Sequence, residues 1–355
     1  MDYCRIMHIQ TFWIFKTLFK LSLIVCLAYL SILPVKAIGG ELNIYSHRQP
    51  FLINPFLKSF TKKTGIKTNV VYSTKGLAQR LKAEGENSPA DVILTVDIGR
   101  LQVYADLKLL AKINSKKLNG NIPPHLRSLD QTWVGLSKRS RIIVVSKSRV
   151  KPSSISRIED LANPTWKKKI CSRPGSHVYN RALMASMIAA HGIDEATKWA
   201  KGLVANLARR PQGNDRAQVK AIYEGQCDIA IINNYYYGKL KYSDDPKQRD
   251  WAQELSLIFP NQGSGDRGAH INISGGGVAK YSKNKINAIR LLEFLSEENS
   301  QKLYGTINFE YPVNPRVMPT QILQNWGLFR EDKLPIQRIA ELSQDAQKII
   351  DKVGW

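Results

Sequence analysis

The sequence predicts an α/β protein built as two lobes around a central cleft. Three observations carry that reading. Short β-rich runs alternate with helix-patterned runs through the first hundred residues after about position 40. A second unit with the same alternation follows the apolar run RIIVVS at 141–146. A chain of 355 residues that is 43% hydrophobic can fill two such cores. Clefts between lobes of this kind are where small ligands usually sit.

The opening segment differs from the rest. Lys16 and Lys20 precede an apolar run at 21–33 that is short for a membrane-spanning helix, and Val35 and Ala37 place small residues three and one before a cut. Residues 1–37 therefore predict a secretory signal cleaved after Ala37; the alternative is an uncleaved amphipathic or membrane anchor. Without those residues the chain keeps 48 Lys plus Arg against 28 Asp plus Glu, or +20, compared with +23 for the full sequence. The lysines are dispersed (Lys58, Lys62, Lys63, Lys67, then 167–169, then Lys280, Lys283, Lys285), the pattern of a solvated surface rather than a nucleic-acid stripe.

Residues 42–46 (LNIYS) predict a strand, and 50–64 a helix with Phe51, Phe56, Leu57 and Phe60 on one side, stopped by Gly65. Next come a strand at 68–72, a helix at 76–83, a buried strand at 91–96 and a helix at 99–110. This βαβαβ order argues for a largely parallel sheet covered by helices. The second unit comprises a strand at 169–171, helices at 180–190, 195–206 and 216–224, and a strand at 228–233. Residues 260–277 read as loop, with a short extended piece at 271–273. Ile286, Ile289, Leu292 and Leu295 mark a helix by their three-residue spacing. The last forty residues predict helix, with Leu334, Ile336, Ile339, Leu342, Ala346 and Ile349 packed on one lobe.

The strongest chemical feature is the run Asn233-Asn234-Tyr235-Tyr236-Tyr237-Gly238 at the carboxyl end of a strand, where open α/β sheets place ligands. Three successive aromatics in extended chain cannot all face one core, so at least one phenol points away from the others. An aromatic packing cluster is the competing reading. A phenolate is a hard anionic donor, and a highly charged cation such as ferric iron favours its deprotonation despite a reference pKa near 10. Tyr179, just before a helix, is a second candidate donor, and His47 and Gln49 follow the first strand and belong to the opposite lobe. The run GSGDRG at 263–268 matches a dinucleotide fingerprint but lacks its strand and helix. Ser274-Gly275-Gly276-Gly277 reads as a hinge or tight loop. Cys171 and Cys227 each stand beside a strand, as buried thiols or as one disulfide.

Seven segments in order carry a resemblance: LNIYSHRQP at 42–50, SPADVILTVDIGRL at 88–101, GLSKRSRIIVVS at 135–146, HVYNRALMASMI at 177–188, RPQGNDRAQVKAIYEGQCDIAIINNYYYGKL at 210–240, FPNQGSGDRGAHINISGGGVAK at 259–280 and EYPVNPRV at 310–317. Across residues 41–318 the chain resembles the periplasmic ferric-iron-binding proteins of bacterial ABC importers, a branch of the type II periplasmic-binding-protein fold related to the transferrin lobe. The resemblance implies a bilobal receptor that closes on Fe(III) and catalyses no reaction. It implies metal ligands at Tyr235 and Tyr236, which match the paired family tyrosines, and at Tyr179; Tyr237 stands at a usually apolar position. Where many relatives place a histidine, sometimes followed by a tyrosine, this sequence has Gln49 and Pro50. His47 is the candidate replacement, with water or a small synergistic anion as the alternative. Arg139 and Arg141 are candidates for stabilising the anion or the tyrosinates, or for salt links. The implied lobes are 38–141 with 266–316, and 142–265 with 317–355. The implied setting is the periplasm, with an inner-membrane ABC permease as partner, a monomeric receptor and no nucleic acid. A receptor of the same fold for a polyamine, phosphonate, thiamine derivative or organic anion is the alternative.

Overall fold

The computed structural model describes residues 40–355, so the leader and its cut after Ala37 lie outside the described residues. Nine strands form one mixed sheet: β1 (Glu41–Ser46), β2 (Lys67–Tyr72), β3 (Val92–Thr95), β4 (Leu110–Ala111), β5 (Trp133–Ser146), β6 (Ile170–Cys171), β7 (Ile229–Asn233), β8 (Leu255–Ile258) and β9 (Ile271–Ala279). Their order is β2-β1-β3-β9-β5-β7-β6, with β4 beside β9 and β8 beside β5. The helices that position the site are α1 (Pro50–Thr64), α2 (Leu77–Glu84), α3 (Ile98–Asp106), α4 (Lys116–Asn121), α5 (Val178–Ala205), α6 (Asp215–Tyr223) and α7 (Asn234–Lys241), and three later ones are α8 (Lys285–Ser296), α9 (Glu298–Asn308) and α10 (Ser343–Val353).

The sheet is less parallel than its sequence suggests. β1 runs parallel to β2 and β3, and β6 parallel to β7, but β9 and β5 run against their neighbours at the centre. β5 is also more than twice the predicted length, fourteen residues in place of the run at 141–146. Its first half, through Ser140, pairs with β9, and from Arg141 it pairs with β7, so one strand carries the chain from one group of strands to the other. The polar stretch Ser137 to Ser140 hides this strand in the sequence; the ladder itself satisfies its backbone.

The predicted loop at 260–277 is corrected too. β9 is a buried nine-residue strand whose centre is Gly275, Gly276 and Gly277. A Cβ at Gly276 would stand 2.9 Å from both the Ile93 carbonyl and a Leu94 methyl, so the glycines mark close packing rather than a hinge.

α1 opens with Pro50, whose missing N–H costs nothing there, and closes on Gly65 at φ 74°. It buries Ile53, Phe56, Leu57 and Phe60, while Phe51 faces out at 61% exposure. The helix predicted at 99–110 ends at Asp106, giving way to β4. The two helices predicted between 180 and 206 form one span broken at Gly192, where φ is 77°. In α8 the buried stripe is Ala288, Leu291, Leu292 and Leu295, and Ile286 is exposed. α8 packs on β9, α1 and α4. At the carboxyl end α10 packs along α5, and the Trp355 indole donates to Ser172 Oγ at 2.9 Å. Cys171 and Cys227 form a disulfide linking β6 to the entry of β7. Among the described residues no helix is long and apolar enough to cross a membrane.

Candidate metal centre

The tyrosine run is helical, not extended. Asn234 starts α7 by accepting from the Ser140 amide (2.9 Å) and donating to the Phe309 carbonyl (2.8 Å), which pins the helix to β5. Successive helical residues point about 100° apart, so the three phenols diverge. Tyr237 packs inward with its ring 5.4 Å from Trp326, while Tyr235 and Tyr236 line a cleft of about 220 Å³.

Tyr179, on the first turn of α5, meets them there. The Tyr235 hydroxyl donates to Tyr179 Oη at 2.9 Å and accepts from Asn233 Nδ2 at 3.2 Å. Tyr236 stacks obliquely on Tyr235 with centroids 4.5 Å apart. The His177 side chain caps α5 by accepting from the Tyr179 amide at 3.3 Å, which fixes the approach of the third phenol.

A buried carboxylate supports this wall. Asp215 accepts from Arg141 Nη1 (2.9 Å), Arg173 Nη1 (2.8 Å) and the Asn233 amide (2.8 Å). Arg141 therefore belongs to the frame beneath the phenols. Arg139 reaches the cleft, tied to the Val96 carbonyl and, at 3.5 Å, to Asp97, with its guanidinium 5.6 Å from the Tyr179 ring.

The facing wall comes from the end of β1 and the start of α1. His47 lines it with both nitrogens engaged: Nδ1 bonds the Ser73 carbonyl at 2.8 Å and Nε2 the Tyr104 hydroxyl at 2.9 Å. A carbonyl only accepts, so Nδ1 carries the proton and Nε2 accepts from Tyr104. Burial, with Arg100 nearby, holds the imidazole down at about 4, so it is neutral at pH 7. Beside it Arg48 donates to Glu310 at 2.6 Å, and Ser137 Oγ donates to the same carboxylate at 2.6 Å. Arg48, Arg100, Arg216, Lys239 and Glu310 also line the cleft, and the sequence reading missed all five. Lys239 was findable as the residue one helical turn beyond Tyr235; Glu310 carries no local signal.

Burial pushes Tyr235 well above the ordinary phenol range, with the neighbouring Tyr179 and Tyr236 adding to it, and pushes Tyr236 up to about 12. Both are protonated at neutral pH, so a bound cation must displace their protons. The oxygens suit such an ion. In an octahedral shell with metal–oxygen bonds of about 2.0 Å, adjacent donors stand about 2.8 Å apart, close to the Tyr235–Tyr179 hydrogen-bond separation of 2.9 Å. Among the described residues no group of three or more His, Cys, Asp or Glu side chains could hold a metal, which leaves the phenols as the convergent donors.

The family model described as bacterial extracellular solute-binding protein matches residues 56–331. The chain belongs to this family. Iron uptake protein A1 of Synechocystis is 40% identical over 316 residues, which cover 89% of this chain and 87% of that protein. A Trichodesmium protein solved in complex with iron and citrate is 45% identical with a TM-score of 0.85, covering 89% of this chain and 100% of that one. Ferric iron-binding protein A of Mannheimia haemolytica, solved in an open conformation, is 47% identical with a TM-score of 0.83, covering 88% and 98%. These proteins share the mixed α/β fold seen here.

Proposed function

We propose that this chain is a periplasmic receptor that binds Fe(III) through the phenolates of Tyr179, Tyr235 and Tyr236 and delivers it to an inner-membrane ABC permease. The observation that carries the reading is the meeting of these phenols from α5 and α7, two of them 2.9 Å apart, in a cleft whose lining carboxylate, Glu310, already accepts from Arg48 and Ser137. The iron-named relatives point the same way. In this reading His47 keeps its bonds to Ser73 and Tyr104 and orients the facing wall, since its coordination would require giving up the Tyr104 bond. The remaining positions on the ion go to water or a small synergistic anion such as the citrate of the Trichodesmium complex. Arg100 and Arg139 face that space and favour an anion there.

The lobes divide as 38–141 with 266–316, and 142–265 with 317–355; β5, which runs through the boundary at 141/142, supplies one crossing, and β9 lies beside it in the first lobe. The receptor works as a monomer and assigns no catalytic role to any residue. A permease partner follows from the task, because a receptor without a membrane passage cannot move its cargo across a bilayer. Five basic side chains against one carboxylate in the cleft argue against a polyamine as cargo. Iron per chain, measured after dialysis against a ferric chelator, tests the reading: one iron should remain on the wild type and almost none on a folded Tyr179→Phe/Tyr236→Phe variant. Equal retention by the two would overturn it.

A further inference from the structure

Tyr179, Tyr235 and Tyr236 all come from α5 and α7, and both nitrogens of His47 are engaged. A ferric ion held by those phenols gains no bond from His47 while these hydrogen bonds last, so a contact between the walls that does not pass through the metal would add to its retention. One stands at the mouth of the cleft. Phe51, on the first turn of α1, is 61% exposed although the same helix buries Phe56 and Phe60. Lys239, one turn beyond Tyr235 on α7, places its Nζ 5.1 Å from the centroid of the Phe51 ring. Both side chains line the cleft that holds the phenols. An ammonium over an aromatic face is drawn by the ring quadrupole, more strongly as water is removed. Burial pulls Lys239 down to about 8, against the opposing influence of Glu310, so the side chain is partly desolvated yet still charged at pH 7.

We propose that Phe51 and Lys239 form a latch across the mouth of the cleft that slows escape of the bound ion. The proposal rests on the ferric reading of the site. It assigns Lys239 and Phe51 to retention and leaves coordination to the phenols, so it separates the release rate from the colour of the complex.

The test mixes iron-loaded protein with excess chelator and follows the decay of visible absorbance by stopped flow. Phe51→Ala and Lys239→Met should each release iron about two- to thirtyfold faster than the wild type. The double variant should be no faster than the quicker single, because the pair acts as one contact. Phe51→Trp, which keeps a ring face, should release at the wild-type rate or more slowly. Phe51 is exposed, so its variants should fold, and far-UV circular dichroism checks this. Single variants that release at the wild-type rate, or effects that multiply in the double variant, would overturn the latch alone. A wild type that takes up no iron would overturn the ferric reading and the latch with it.

Discussion

The hydroxyl of Tyr235 links Asn233 to Tyr179, and its removal tests coordination with little disturbance of packing. Tyr235→Phe gives up about 1 kcal/mol of hydrogen bonding in the fold. It should nevertheless weaken iron binding by at least about a hundredfold, because a charged donor is lost from the ion. Tyr237→Phe, in which the altered ring is buried against Trp326 rather than lining the cleft, should leave affinity within about threefold, because no cleft donor is lost. Competition against a chelator measures both. Protons supply a second test at this scale. Tyr236 titrates at about 12 and Tyr235 higher than an ordinary phenol, so both are protonated throughout the physiological range and must lose a proton to bind. Iron affinity should therefore rise with pH by about tenfold per unit for each phenol ionised, and fall correspondingly as the medium is acidified. A titration in weak buffer that releases no protons beyond those of the iron source would contradict tyrosinate binding. The phenols were legible in the sequence because their residue type and the strand before them already suggest a site. The Arg48–Glu310 pair was not, since 262 residues separate the partners and only the folded sheet brings them together.

Among the elements, β9 shows why local patterning misled. A glycine triplet reads as loop, yet here the absent side chains make room for Leu94, Leu110 and Leu292 against a central strand. Gly276→Ala should cost about 1–3 kcal/mol of stability, read from urea unfolding, because its Cβ has backbone on one side and a packed leucine on the other. A neutral substitution would mean that the strand can shift to accept the group. The tyrosine run misled differently: an extended chain would alternate the rings, whereas the helix sends Tyr235 and Tyr236 to the cleft and Tyr237 to the core. The disulfide between Cys171 and Cys227 closes a long loop that carries the cleft-lining Tyr179 and Arg216, although neither cysteine lines the cleft. A Cys171→Ala/Cys227→Ala variant should lose about 2–4 kcal/mol of stability and still take up one iron per chain. Loss of binding in that variant while it remains folded would bring the sulfur atoms back into the account. The helices were easier to read, since capping and apolar spacing are local; α1 was placed to the residue, and only the outward turn of Phe51 was missed.

On the scale of the whole molecule, alternation of strands and helices revealed the α/β class, but not the antiparallel centre. Strand direction there depends on where β5 and β9 pair, which no short window of sequence encodes. The proposed closure moves two lobes about the points where the chain crosses between them, so iron should reduce the radius of gyration in solution while far-UV circular dichroism stays constant. The central claim is that tyrosinates hold ferric iron in the cleft, and a visible spectrum recorded while Fe(III) is titrated into the protein tests it most directly. A broad charge-transfer band should grow, saturate at one iron per chain, and be absent from a folded Tyr235→Phe/Tyr236→Phe variant. No band in the wild type, or an undiminished band in that variant, would contradict the account.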